Sequence, residues 1–156
     1  SQWNGNFKPF KDAKYDDKLM YTCHRYGGAP TKEAIQEFIA FRDSVNLPMY
    51  MGEIGHNTSE WQSSFCKVME ENNIGWTFWP YKKKDDSCIM GIQMPDNWNH
   101  IVAFSESPRG SYAEIRKARP DQQMVRKAMN DFIQNCKKEN CIPQKEYIHS
   151  LGFSFQ

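Results

Sequence analysis

The chain has 156 residues, enough for one domain with a sizeable core, and its 20 basic and 19 acidic residues leave a net charge of +1. That balance offers no electrostatic case for nucleic acid or an anionic membrane, and no stretch approaches the about 18 consecutive apolar residues of a membrane-spanning helix. Five Trp, seven Tyr and ten Phe make 14% of the chain aromatic, a surplus that favours a partner with flat apolar faces, such as a sugar ring.

In chain order, residues 1–5 read as the exit of a strand, with Trp3 and Asn4 at its end, and residues 6–17 as a polar surface connection. Lys18 to Cys23 reads as a buried strand whose polar tip is His24-Arg25-Tyr26-Gly27-Gly28. Pro30-Thr31 opens a helix with Thr31 as its N-cap, and Ile35, Phe38, Ile39 and Arg42 share one face as far as Val45-Asn46.

The run Pro48 to Glu53 reads as a strand buried on both faces that delivers Glu53 to the mouth of the loop Gly55-His56-Asn57. Glycines on both sides of Glu53 leave room for a substrate. A helix follows from about Thr58: Asn57 or Thr58 is placed to cap it, Asn57 and Glu60 have capping-box spacing, and Trp61, Phe65, Val68 and Met69 form its apolar stripe. Ile74 to Trp79 reads as a third short buried strand, closing on Pro80-Tyr81 and a solvated Lys82-to-Asp86 loop.

Residues 85–118 read as irregular, carrying Trp98, either a distal contact or a lid on the core. From Asp121 to Cys136 the positions Met124, Val125, Ala128, Met129, Phe132, Ile133 and Cys136 form a helical stripe, expected to be a last outer helix. In the tail, Tyr147, Ile148, Leu151 and Phe153 suggest docking onto the core. The five cysteines form no CxxC pair, so no metal is expected. Cys23 and Cys66 read as small buried apolar residues, and Cys136 and Cys141 could bridge a helix end in an oxidising compartment.

The three strands begin near residues 18, 47 and 74, with an amphipathic helix in each gap, which is a βαβαβ pattern. A (β/α)8 barrel allots about 31 residues to each such unit, whereas a doubly wound sheet calls for a Gly-rich phosphate turn that the sequence lacks. The expected fold class is therefore α/β, part of a TIM barrel, with the polar strand tips gathered on one face.

Three motifs in order, Tyr21-Thr22-Cys23-His24-Arg25-Tyr26, Pro48-Met49-Tyr50-Met51-Gly52-Glu53-Ile54-Gly55 and Gly75-Trp76-Thr77-Phe78-Trp79-Pro80-Tyr81, resemble strands six, seven and eight of glycoside hydrolase family 5. The endo-β-1,4-glucanase (cellulase) branch is the nearest match, and Trp3-Asn4 resembles the end of strand five. The resemblance covers roughly residues 1–84 and implies the C-terminal half, about strands 5–8, of a catalytic barrel. The whole chain, 1–156, would be that half. It further implies retaining cleavage of β-1,4-glucan without metal or cofactor, outside the cytoplasm: secreted, periplasmic or at the cell surface. By the same resemblance Glu53 is the nucleophile, Tyr26 its hydrogen-bond donor and His24 a cleft residue. Trp79 is the aromatic platform under the sugar, and Trp3, Asn4, Lys82 and Trp98 are further candidates for substrate contact, while Trp61 and Trp76 are assigned to packing. The family's acid/base Glu, after an Asn at the end of strand four, has no counterpart here, so the chain alone should be inactive. Four strands would leave two open edges, to be closed by the N-terminal half of the barrel, as a separate chain or upstream sequence, or by a second copy. A non-catalytic carbohydrate-binding protein, or a mannanase or xyloglucanase of the same family, is the alternative.

Overall fold

The computed structural model describes residue 7, residue 16 and residues 18–154. They divide into two compact units, the first running to Tyr81 with Asp86–Ile89 and the segment from Gln144 onward, the second comprising Lys82–Asp85 and Met90–Pro143.

The first unit is built on a parallel sheet in the order β1 (Tyr21–Arg25), β2 (Met49–Gly55), β3 (Gly75–Trp79), with helices α1 (Gln36–Val45) and α2 (Ser59–Glu71) in the two crossovers. The βαβαβ expectation holds, with shifted ends. β1 starts at Tyr21 rather than Lys18 because its first partner is Met49, and Pro48, having no N–H, cannot carry the ladder further back. The strand instead runs on through His24 and Arg25, so these polar residues lie within it.

α1 is entered through a 3-10 turn, Glu33–Ile35, closed by Ile35 N–H to the Lys32 carbonyl at 3.1 Å. Thr31 is therefore not the N-cap. Its hydroxyl meets the Glu33 carboxylate, which is held below its ordinary value first by its own backbone N–H and then by Thr31. Asn46, in the left-handed region at φ 52°, ends the helix where expected. Arg42, at the margin of the apolar face, donates from Nη1 to the Asn72 carbonyl at 2.6 Å and so satisfies the end of α2. Thr58 caps α2 by accepting from the Trp61 N–H at 3.3 Å; the Asn57–Glu60 box does not form, because Glu60 takes the Thr58 hydroxyl and Asn57 is engaged elsewhere.

Cys23, Ile35, Met51, Ile54, Phe65 and Met69 are fully enclosed between sheet and helices. Two expectations of burial fail. β2 buries Met49, Met51, Ile54 and Gly55, while Tyr50, Gly52 and Glu53 stay half-buried. β3 alternates exposed and half-buried residues because it pairs on one side only among the described residues. Trp76 accordingly is half-buried, with its Nε1 3.4 Å from Glu70 Oε1 and its ring 6.1 Å from that of Phe153. The tail docks as expected: the C-terminal helix Lys145–Ser150 packs on α2, and Tyr147, Ile148 and Leu151 are buried, with Phe153 left exposed.

The second unit corrects the irregular reading of residues 85–118. It holds a three-stranded sheet of two-residue strands, β4 (Lys82–Lys83), β5 (Met90–Gly91) and β6 (Ile142–Pro143), and three helices, α3 (Trp98–Glu106), α4 (Tyr112–Ala118) and α5 (Gln122–Asn135). α4 begins at a complete capping box, Ser111 with Glu114, whose S-x-x-E spacing was legible in the sequence. α5 has the expected span, capped by Asp121 Oδ1 on Met124 N–H at 2.8 Å. It belongs to this unit, packing on α3, and of its apolar stripe only Ala128 is fully buried while Met129 and Ile133 are exposed. Among the described residues no helix is long and apolar enough to cross a membrane.

None of the five cysteines is in a disulfide. The Cys136–Cys141 bridge does not form; the Cys141 thiol instead donates to the carbonyls of Asn135 and Lys137 at 3.4 and 3.3 Å. Cys23 and Cys66 are buried, as expected of small apolar residues, and burial pushes the Cys66 thiol from an ordinary 9.0 up to about 12. Because the folded thiol stays protonated to about pH 12 while the unfolded one ionises near 9.0, its contribution is intact below pH 9 and is lost as the pH rises toward 12. Urea unfolding at pH 8, 9.5 and 11 should show a shallower alkaline loss for Cys66→Ala than for the parent, by up to about 1.4 kcal/mol per pH unit. Parallel pH profiles for the two proteins would contradict this.

Candidate active site

The site forms where the C-terminal ends of β1 and β2 lie side by side. Met51 and Ile54 are both buried although three apart, which strict alternation along a strand forbids. The ladder resolves the parity: on β1 the register passes from Cys23↔Met51 to His24↔Glu53, and on β3 it slips again between Met51 and Ile54. β2 thus carries an extra residue at Gly52–Glu53, a bulge that turns Glu53 to the face opposite Met51, toward His24. The Thr77 hydroxyl of β3 donates to the Gly52 carbonyl, giving this bulge carbonyl a partner.

Gly52 is required for close approach. A Cβ there would run into the Thr22 hydroxyl and lie 3.2 Å from His24 Nε2. The space beside Glu53 is therefore taken up by the protein's own side chains, not kept open for substrate. The same correction applies to Gly55 at φ 139°, where an added Cβ would meet the Trp79 carbonyl and lie 2.9 Å from the Tyr147 hydroxyl.

Two side chains converge on one oxygen of Glu53. The Tyr26 hydroxyl donates to Oε2, and His24 Nδ1 lies 3.3 Å from the same atom. An ionised carboxylate can only accept, so Tyr26 supplies the proton of that bond. Burial first, and then the bond to Glu53, hold the Tyr26 phenol well above its ordinary value, so it remains a donor through neutral pH. Glu53 is partly open, its side chain 28% accessible, so a second molecule can reach it.

Trp79, at the end of β3, is 49% exposed, and its backbone carbonyl accepts from the Tyr147 hydroxyl at 3.2 Å. The indole is thus an accessible surface on a fixed backbone. Lys82 and Trp98 fall in the second unit, where Lys82 Nζ donates to the Cys136 carbonyl at 2.6 Å and Trp98 stacks on Phe132 at 4.7 Å. Trp3 and Asn4 lie outside the described residues. The structure adds two contributors whose place at the site was not read from the sequence: Thr77, which holds the bulge, and Tyr147, expected only to dock on the core, which lies 68 positions from the residue it contacts. His56 is also at the tip, in the left-handed region at φ 50°, its ring 6.5 Å from Tyr26.

The first unit is thus an α/β array of parallel strands of the kind found in part of a TIM barrel, with a carboxylate, a phenol and an imidazole grouped at its strand tips. A family model described as cellulase, glycosyl hydrolase family 5, matches residues 1–85. The match spans more than half of the chain, and the protein belongs to that family of glycoside hydrolases. No curated protein and no solved structure matches it.

Proposed function

We propose that the chain is the nucleophile-bearing, C-terminal half of a retaining endo-β-1,4-glucanase barrel, with β1, β2 and β3 as its strands six, seven and eight. The observation that supports this best is the convergence of Tyr26 and His24 on Glu53 Oε2. With Oε2 held, the other carboxylate oxygen attacks the anomeric carbon, the glycosidic C–O bond breaks, and an acid from the upstream half protonates the leaving oxygen. Water, deprotonated by that same upstream residue, then releases the sugar from Glu53 and restores both carboxyls. Tyr26 donates a hydrogen bond to Oε2 of the nucleophile, and the exposed Trp79 indole offers an aromatic face for the apolar C–H face of a pyranose. The chemistry uses two carboxyls and water and calls for no metal or cofactor. A polymeric substrate places the enzyme outside the cytoplasm.

The test joins the chain to the upstream half, identified by an Asn-Glu pair at a strand end about two units earlier. The joined protein should hydrolyse soluble β-1,4-glucan in preference to mannan and xyloglucan, with the β-anomer as first product by NMR. The isolated chain should be inactive and should elute as a dimer or larger species, because β1 and β3 are edge strands among the described residues. Glucan binding without cleavage by the joined protein would replace this reading with a carbohydrate-binding protein, and a cooperative, monomeric isolated chain would overturn the half-barrel.

A further inference from the structure

The turn that carries Tyr26 leaves β1 at Arg25, so its carbonyls have no neighbouring strand to supply N–H groups. Three consecutive carbonyls are nevertheless paired, each with a different side chain. Asn57 Nδ2 donates to Tyr26 O at 3.0 Å, Arg25 Nε to Gly27 O at 2.9 Å and Trp61 Nε1 to Gly28 O at 2.6 Å. Arg25 is local to the turn. Asn57 and Trp61 are not: they come from the segment that follows Glu53, Asn57 two residues beyond the end of β2 and Trp61 in the first turn of α2.

Asn57 is fully committed to this arrangement. Its Oδ1 accepts from the Thr58 N–H at 2.8 Å, and its carbonyl accepts from Gln62 Nε2 at 3.0 Å. Gln62 is 1% exposed and its Oε1 has no partner among the described residues, while the other end of this buried amide secures Asn57. Trp61 is fixed in turn by stacking on Phe65 at 4.6 Å. The nucleophile's own strand exit thus grips the backbone on which the Tyr26 hydroxyl is mounted.

We propose that Asn57 and Trp61 are positioning residues that hold the Tyr26 hydroxyl on Glu53 by clamping the Tyr26–Gly28 backbone. For catalysis the inference rests on Glu53 being the nucleophile; the clamp itself does not. Without these donors the turn is free to swing, the hydroxyl leaves Oε2, and the carboxylate loses its short-range donor.

The test is a 13C NMR titration of protein labelled at the tyrosine ζ carbon, with the Tyr26 signal assigned by its loss in Tyr26→Phe. In the parent, Tyr26 should titrate later than the exposed tyrosines. In Asn57→Ala, and in Trp61→Phe, which keeps one aromatic ring on Phe65 while removing the N–H with the rest of the indole, its titration should fall by about one pH unit or more. Unfolding curves recorded alongside confirm that the titrated protein is folded, and Trp61→Phe carries the test if Asn57→Ala does not fold. An unmoved Tyr26 titration in a folded variant overturns the clamp and leaves both residues merely structural. In the protein joined to its upstream half, both variants should lose about tenfold in kcat with KM nearly unchanged. If Tyr26 moves but Glu53→Gln remains active, the clamp stands and the nucleophile reading falls.

Discussion

Glu53→Gln is expected to leave the protein folded and to cut hydrolysis by roughly three orders of magnitude or more, the scale on which loss of a covalent nucleophile is felt. The amide has the volume of the carboxyl, and its oxygen can still accept the Tyr26 hydroxyl, so the strand tip keeps its packing and its main hydrogen bond. Glu53 is also partly solvated, so no buried charge is left without a counterpart when it is neutralised. What disappears is chemical: an amide oxygen cannot form the glycosyl ester, and a neutral group does not stabilise the positive charge that develops at the anomeric carbon. The measurement is kcat on soluble β-glucan for the chain joined to its upstream half, with unfolding midpoints as the control. Turnover close to the parent's would remove Glu53 from the nucleophile role.

The largest loss of stability is expected from Gly55→Ala, about 2–4 kcal/mol. Two effects act together there. At φ 139° the backbone is in a region that residues with a Cβ rarely adopt, and the added methyl would press on the Trp79 carbonyl and sit 2.9 Å from the Tyr147 hydroxyl. The obstacle on one side is backbone, which cannot rotate away, and on the other a hydroxyl already bonded to that same carbonyl. Relief would require β2, β3 and the C-terminal helix to move apart. Gly152→Ala is the internal comparison: Gly152 has φ 82° but no atom of the described residues within 4 Å of an added Cβ, so backbone strain, about 1–2 kcal/mol, is the effect expected there. Denaturant midpoints for the two variants separate strain from collision. Equal losses at both positions would mean that the crowding around Gly55 relaxes at no cost.

The parts of this protein encoded within a few residues of each other were readable from the sequence. The βαβαβ order follows from apolar runs near residues 18, 47 and 74 separated by helical stripes, the strands themselves starting at Tyr21, Met49 and Gly75, and Phe65 and Met69 are buried where their spacing places them. The assignment of Glu53 to a strand end beside Tyr26 and His24 rested on short motifs, and these three side chains do meet. Local reading also had a signal it did not use: the Ser111-to-Glu114 box that opens α4.

Tertiary structure decided the rest, for one recurring reason: the deciding partner is far away in the sequence. Nothing in Met49-Tyr50-Met51-Gly52-Glu53-Ile54 announces a bulge, because the slip exists only relative to β1 and β3, yet it sets the face from which Glu53 points. The glycines flanking Glu53 looked like room for a substrate until His24, Thr22, Trp79 and Tyr147 were found to fill it. Asn57 had the spacing of a helix cap, but a carbonyl 31 positions away claims its side chain. Periodicity reports which face of an element is apolar; which atoms press against that face, and hence where a catalytic side chain points, is settled only when the elements pack.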